Sequence, residues 1–449
     1  MSSSSEAEWY QPGEIEAQQR ILMACPNSKS DSKGELLEDA QNEVINIANA
    51  IAEFEPVTLF SSSETLDKVK SQVHKNVSVL CVEETSHLWI RDFGPTFVRS
   101  RDGKLLRGVD WNFNYWGEKR APSGDERIAK VAAQWITDIP PLAASIVAEG
   151  GAIEVDGEGT FMAAETAIIN DNRNPGMSKE QVEKELSRLL GVQKFLWLAG
   201  EAGKETTDCH IDALARFIRP GVVVLSKPSP QGQGKYSFAY NNARDILSQA
   251  TNAQGRKIVL HDCLEPDLGK LQRVSEGENC VASYVNFLNV NGGVIIPKFG
   301  DEERDTQALE LFENLYPDRK VSQILGQFIF IPVGSYGEVM PDDVVQVVYK
   351  AASEVASEDP LHPAIWRPTI DTPQGGIPVV VSMTGGGLTM AGVGVDLLRQ
   401  NPESWVECSQ SHIVVSVNYR VGICDLPNAR GLVNGQQYLD IIDQSAALE

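Results

Sequence analysis

A chain of 449 residues with 42% hydrophobic and 22% charged content can bury a full core, and its length suits two or three domains. Its formal net charge of -23 would repel phosphate backbones and anionic membranes while drawing in small cations, so neither nucleic acid nor membrane is an expected partner. The opening MSSSSEAEWYQPGEIEAQQR has no basic start before an apolar run, and no later stretch approaches a membrane span, so a cytoplasmic protein is expected.

In chain order, residues 34 to 54 place Leu37, Ala40, Val44, Ile47, Ile51 and Phe54 on one helical stripe. Pro56 then stops the helix before a strand over Val57 to Phe60. The pattern recurs where Ser178 opens a capping box with Gln181, a helix runs to Leu190 and a strand follows from Lys194 to Leu198. Between these lie paired apolar runs, SIVAEGGAIEV with TFMAAETAII and HIDALARFI with GVVVLSK, joined by Gly- and Pro-containing turns. The implied architecture is an α/β repeat, although no fixed repeat period shows how the modules close. Beyond about residue 322 the texture changes, through IFIPVGSYGEVMPDD, a short helical pattern from Val344 to Ala356 and the Pro-rich PLHPAIWRPTIDTPQGG. Two compact apolar strands follow, IPVVVSM and HIVVSVNYR, the first leading into the turn TGGG.

The segment HLWIRDFGPTFV reads as a strand with Asp92 near its end, bounded by Gly94 and Pro95, which puts the carboxylate at a rim. An ordinary surface aspartate beside a turn is the alternative. In TTDCHIDALARF, Asp208, His210 and Asp212 alternate along an expected strand and would leave one face, with Cys209 and Ile211 on the other. A carboxylate-imidazole-carboxylate row suits a general acid and base beside a cation-holding aspartate; a structural histidine between two surface acids would read the same way. Glu149, followed by Gly150 and Gly151, could orient His210 or be a strand-end glutamate. In DWNFNYWG, Trp111, Asn114 and Trp116 could wall a cationic ligand or belong to the core. Seven cysteines without paired spacing argue for reduced thiols, and no Cys-x-x-Cys or His-Glu-x-x-His pattern suggests a metal.

WIRDFGP, DWNFNYWG, EGGAIEVDGEGT, TTDCHIDALARF, ASYVNFLNVNGGVIIPKFGD and LYPDRKV, in this order, resemble the agmatine deiminase and bacterial-type peptidyl-arginine deiminase family over about residues 8 to 321. The resemblance implies a pentein fold, a five-bladed α/β propeller with the site on its axis. It also implies that a cysteine thiolate attacks a guanidinium carbon, ammonia leaves, and water hydrolyses the amidino-cysteine intermediate. Carried over by position, Asp92 and Asp212 would grip guanidinium nitrogens, His210 would protonate the leaving ammonia and later activate water, and Glu149 would hold His210. The substrate would be a small guanidinium cation, no cofactor or metal would be needed, and a homodimer is compatible with this reading.

The resemblance breaks after LYPDRKV. Where the family continues into a Gly-Gly-Gly-Asn-Ile-His-Cys-type loop that delivers the nucleophile, this chain reads SQILGQFIFIPVGSYGEV, with no cysteine between Cys280 and Cys408. The fifth repeat is therefore expected to be truncated and the nucleophile missing. Residues 322 to 356 are expected as a junction, and residues 357 to 444 resemble the N-terminal region of type B carboxylesterases. That fragment would be an incomplete α/β-hydrolase: Gly385 to Gly387 keep the oxyanion-hole turn, but the serine elbow and the triad acid and histidine expected later in such a chain do not appear before Glu449, and Ser335 in VGSYG lies upstream of the turn.

Overall fold

The computed structural model describes residues 9–137, 139–229, 237–271 and 282–326, together with four short strands further on. The chain divides into two units, Met1–Val339 and Met340–Glu449.

Among its described residues the first unit contains five small sheets with one shared pattern. In each, an antiparallel pair is extended by a parallel strand, and a helix bridges the parallel pair. Thr96–Ser100 pairs antiparallel with Leu106–Asp110, which pairs parallel with Leu142–Ala143. The second sheet is Glu154–Val155, Thr160–Ala164 and Lys194–Leu198; the third is Ala215–Arg219, Val222–Lys227 and Val259–Leu264; the fourth is Leu288–Val290, Gly293–Lys298 and Lys320–Leu325. Parallel neighbours need long crossovers, and the helices Ile128–Thr137, Lys179–Leu190, Ser237–Gln249 and Glu302–Leu315 supply them.

The fifth sheet joins distant parts of the chain. Gln18–Ala24 lies parallel to Val57–Ser61, bridged by the helix Glu35–Ile51, and takes its antiparallel partner from Val333–Tyr336. The strand after residue 321 thus completes the sheet that the first repeat begins, a correction to the expectation that the fifth repeat stops short. Ser335 lies within that strand.

Local sequence accounts for the elements. The expected stripe is realised, with Ala40, Val44, Ile47 and Ile51 buried on the sheet, and helix 179–190 starts at the full Ser178–Gln181 capping box and ends on Gly191 in the left-handed region. Among the described residues the buried side chains form five clusters in place of one large core. Among the described residues no helix is long and apolar enough to cross a membrane.

In the second unit, Ile413–Val417 lies parallel to Val379–Met383 and antiparallel to Ala364–Trp366. The two apolar runs read as strands are strands. The turn at residues 384 to 387 and most of the proposed hydrolase fragment lie outside the described residues.

Candidate active site

Three segments bring their acids together around one glycine. Asp92 sits on the one-turn helix Ile90–Phe93, not on a strand end: the Gly94 amide closes that turn on the Ile90 carbonyl at 2.7 Å. Its carboxylate accepts from the Gly151 amide at 3.1 Å and from the Trp116 indole at 2.8 Å. Glu149 is fully buried and precedes the 3-10 turn Gly150–Ala152.

His210 and Asp212 face the same cluster, but by a different route from the one the sequence suggests. Asp208 and Cys209 hold φ of 61° and 78°, so the segment is a left-handed loop leading into the 3-10 turn Ile211–Ala213, not an extended strand. Such conformations are costly for residues with a Cβ and persist where surroundings enforce them, often at functional sites. The result keeps His210 and Asp212 on one side and sends Cys209 into the core cluster with Leu196, Ile211 and Phe217.

The geometry is close. His210 Nε2 lies 3.3 Å from Glu149 Oε2, and His210 Nδ1 lies 3.5 Å from Asp92 Oδ1. A Cβ on Gly151 would come within 2.5 Å of His210 Nδ1, 2.6 Å of Asp92 Oδ1 and 2.9 Å of Asp212 Oδ2. Two carboxylates and an imidazole therefore converge on the space that a glycine leaves open, and Glu149 holds the imidazole from its other nitrogen. Gly150 serves a different contact, because a Cβ there would meet the Arg91 carbonyl at 2.0 Å.

The electrostatics follow from this crowding. Burial pushes Asp92 up to about 6, against the pull of His210 and with Asp212 adding repulsion. For His210 burial opposes the charged form, yet Asp92, Glu149 and Asp212 outweigh it and raise the imidazole to about 9. At neutral pH it is an imidazolium, which suits a group that gives a proton to a departing amine.

Trp116, Asn114 and Trp111 separate. Trp116 is buried against Trp89, and through its bond to Asp92 it belongs to the site. Its φ of 58° is one of several left-handed values in the DWNFNYWG loop. Asn114 caps the turn by accepting from the Gly117 amide and donates to the Asn172 carbonyl. Trp111 is only 1% exposed and donates to Thr96 within a core cluster, so the expectation that it walls a ligand is corrected.

Several residues of the site carried no sequence signal. Arg173, in the turn NDNRNPG, is completely buried; its Nε donates to both oxygens of Glu149 at 3.0 and 3.3 Å, and its Nη1 donates to Asp208 at 2.7 Å. Lys119 pairs with the same Asp208 oxygen at 2.6 Å. Behind Asp212, Arg91 and Arg216 both pair with Glu14, at 3.0 and 2.7 Å, and Arg216 also pairs with Glu154 at 2.8 Å. Only pairs remote in sequence could have flagged these.

No described thiol has the character of a nucleophile. Burial pushes Cys25, Cys209 and Cys263 up to about 12, and exposed Cys81 is also raised, by partial burial and by Glu83. Cys280 lies outside the described residues. Among those described, no group of His, Cys, Asp or Glu is arranged to hold a metal ion.

Several known proteins resemble this chain. A provisionally named agmatine deiminase of Mycoplasma capricolum is 33% identical over 346 residues, covering 73% of this chain and 93% of its own, and one of Streptococcus mutans is 36% identical over 333 residues, covering 69% and 89%. The solved structure of an Enterococcus faecalis agmatine deiminase, described as catalysing its reaction, superposes with a TM-score of 0.68 at 30% identity, covering 73% of this chain and 96% of that one. A C. jejuni agmatine deiminase with substrate bound, at 22% identity, shares the fold with a TM-score of 0.66, covering 76% and 100%. Residues 10–336 match the Porphyromonas-type peptidyl-arginine deiminase family, and this chain therefore belongs to that family of hydrolytic enzymes acting on guanidino groups.

Proposed function

We propose that this chain is an agmatine deiminase-type protein whose cation clamp is intact and whose chemistry is impaired. The observation that carries the reading is the convergence of Asp92, Asp212 and His210 on the space above Gly151, with Glu149 against the other nitrogen of His210. So many buried carboxylates around one imidazole are tolerable when a further cation completes them, and a planar guanidinium matches paired carboxylates through bidentate hydrogen bonds. Asp92 and Asp212 would grip its nitrogens while Glu149 holds His210.

In the complete reaction a thiolate adds to the guanidinium carbon, and the carbon-nitrogen bond breaks as His210 gives its proton to departing ammonia. Water, deprotonated by His210, then displaces the thiolate and leaves a ureido group. From agmatine the products are N-carbamoylputrescine and ammonia, a step toward putrescine. The chain has no cysteine between Cys280 and Cys408, where the family's loop would deliver one. Without that nucleophile only the residual catalysis of positioning and electrostatics is expected.

The five sheets of one pattern support a five-bladed propeller around the site, its body running to the strand Val333–Tyr336, with 357 to 444 as a carboxylesterase-like fragment. A cytoplasmic protein that retains agmatine, arginine or polyamines without turnover is the alternative, favoured by the raised thiols. An ammonia-release assay with agmatine tests the loss of turnover that both readings share: negligible release, restored by replacing the residues after Val321 with a family-type strand and cysteine loop, is the expected outcome. Robust release by the unaltered chain would overturn it.

A further inference from the structure

The buried guanidinium of Arg173 is a feature the clamp does not use directly. Its side chain is completely buried, and it binds on two sides. On one side Nε spans both oxygens of Glu149, whose Oε2 faces His210 Nε2 at 3.3 Å. On the other, Nη1 reaches Asp208 at 2.7 Å and Nη2 donates to the Thr207 carbonyl at 3.3 Å. Asp208 and Thr207 belong to the loop that presents His210, and that loop contains the left-handed residues Asp208 and Cys209. The Thr207 hydroxyl also accepts from the His210 amide at 3.2 Å. Asp208 is further secured by Lys119 at 2.6 Å and by the Gly203 amide at 2.8 Å.

We propose that Arg173 is a positioning residue: one rigid guanidinium fixes both the carboxylate that holds His210 and the strained loop that carries it, setting the register of the acid-base pair. The inference rests on reading His210 as the acid-base group, and it concerns a second-rank contact that touches no substrate. Geometry selects arginine for this place. The planar fork binds two oxygens of Glu149 through one edge while its far nitrogens reach the loop, a span that a lysine ammonium, a single point of charge, cannot cover. The strain at Asp208 and Cys209 must be held by surrounding contacts, and Arg173 supplies two of them from a turn anchored by Asn174, which donates to the Val147 and Ile168 carbonyls at 2.8 and 2.9 Å.

The test uses the full chain without ligand, so its failure is distinct from failure of the guanidinium reading. In protein labelled with 15N-histidine, the imidazole proton on His210 Nε2 is assigned by its loss in H210Q, and its exchange with water is measured at pH 6. R173M is expected to speed that exchange about tenfold, as the weakening of one charge-assisted hydrogen bond implies. R173K should fall between R173M and the parent, and D208N, which keeps Arg173 but removes one anchor, should move it the same way by less. The Trp111 indole resonance, which reports a separate core contact with Thr96, serves as the fold control. Should R173M not fold, R173K decides, because it keeps the charge and loses the fork. An unchanged His210 proton in a folded R173M or R173K would overturn the proposal.

Discussion

Two buried ion clusters stand back to back in this protein, and they differ in how their charges balance. In the first, Glu14 and Glu154 are matched by Arg91 and Arg216, and the Arg216 guanidinium also donates to the Phe287 carbonyl at 3.0 Å and lies over that residue's ring. In the second, Asp92, Glu149, Asp212 and Asp208 face His210, Arg173 and Lys119, four acids against three cations. The thermodynamic imprint follows: Glu14 is drawn down to about 2 because its two arginines outweigh burial, whereas burial drives Asp92 up to about 6 with too little cation to offset it. Glu154 is also raised, to about 7, since it shares Arg216 with Glu14 and is deeply buried. A structural network carries its own counterions; a binding site is short of one. On the proposed reading the missing cation sits beside Asp92 and Asp212, where the Arg91 Nε stands off from Asp212 at 4.0 Å.

The largest effect should come from breaking the balanced cluster. R216M leaves Glu14 and Glu154 short of a partner and is expected to cost about 3–5 kcal/mol of stability. D212N, in the unbalanced cluster, removes a charge that repels Asp92 and should leave the melting temperature within a few degrees of the parent while reducing agmatine affinity. Equal destabilisation by the two would erase the distinction between them.

G151A probes the opening itself. The methyl would press on His210, Asp92 and Asp212 at once, so agmatine binding should weaken at least about tenfold in a protein that still melts cooperatively. Unchanged binding would place the ligand elsewhere.

The pH dependence is expected to be moderate and to have a definite sign. The folded protein holds the His210 proton to about 9, above the ordinary histidine value, so this contribution is complete below about 6.5 and is lost as pH rises through 9. Thermal melts from pH 7 to 9.5 should fall, and H210Q should flatten the decline. A parent that gains stability over this window would contradict the assignment.

The smallest effect distinguishes two tryptophans. W116F removes the bond to Asp92 and should weaken agmatine binding by about 1 kcal/mol. W111F loses only its bond to Thr96 and should lower the melting temperature with binding unchanged.

How much of this was legible follows from the range of the interactions involved. Helix 35–51 and helix 179–190 were readable because apolar spacing, Pro56 and the Ser178 box act within a few residues. The sequence points to Asp92, Glu149, His210 and Asp212, and the structure brings these four side chains close together, yet two of their segments have local shapes the sequence does not show. The strand reading of TTDCHID fails because Asp208 and Cys209 adopt a left-handed conformation that no glycine marks, held by Arg173, Lys119 and Gly203. Arg173 was invisible because NDNRNPG looks like any polar turn and its partners lie 24 and 35 residues away. The strand Val333–Tyr336 was missed for the same reason, since its partner Gln18–Ala24 lies at the other end of the unit.

The central claim is that the second cluster lacks one guanidinium. Calorimetry of the full chain with agmatine and, separately, with putrescine, which has the same chain and no guanidinium, tests it most directly. The account predicts that agmatine binds, that putrescine binds at least about tenfold more weakly, and that D212N removes the preference, as the loss of charge-assisted bidentate contacts implies. Equal binding of the two amines, or no binding of agmatine by the folded protein, would contradict it.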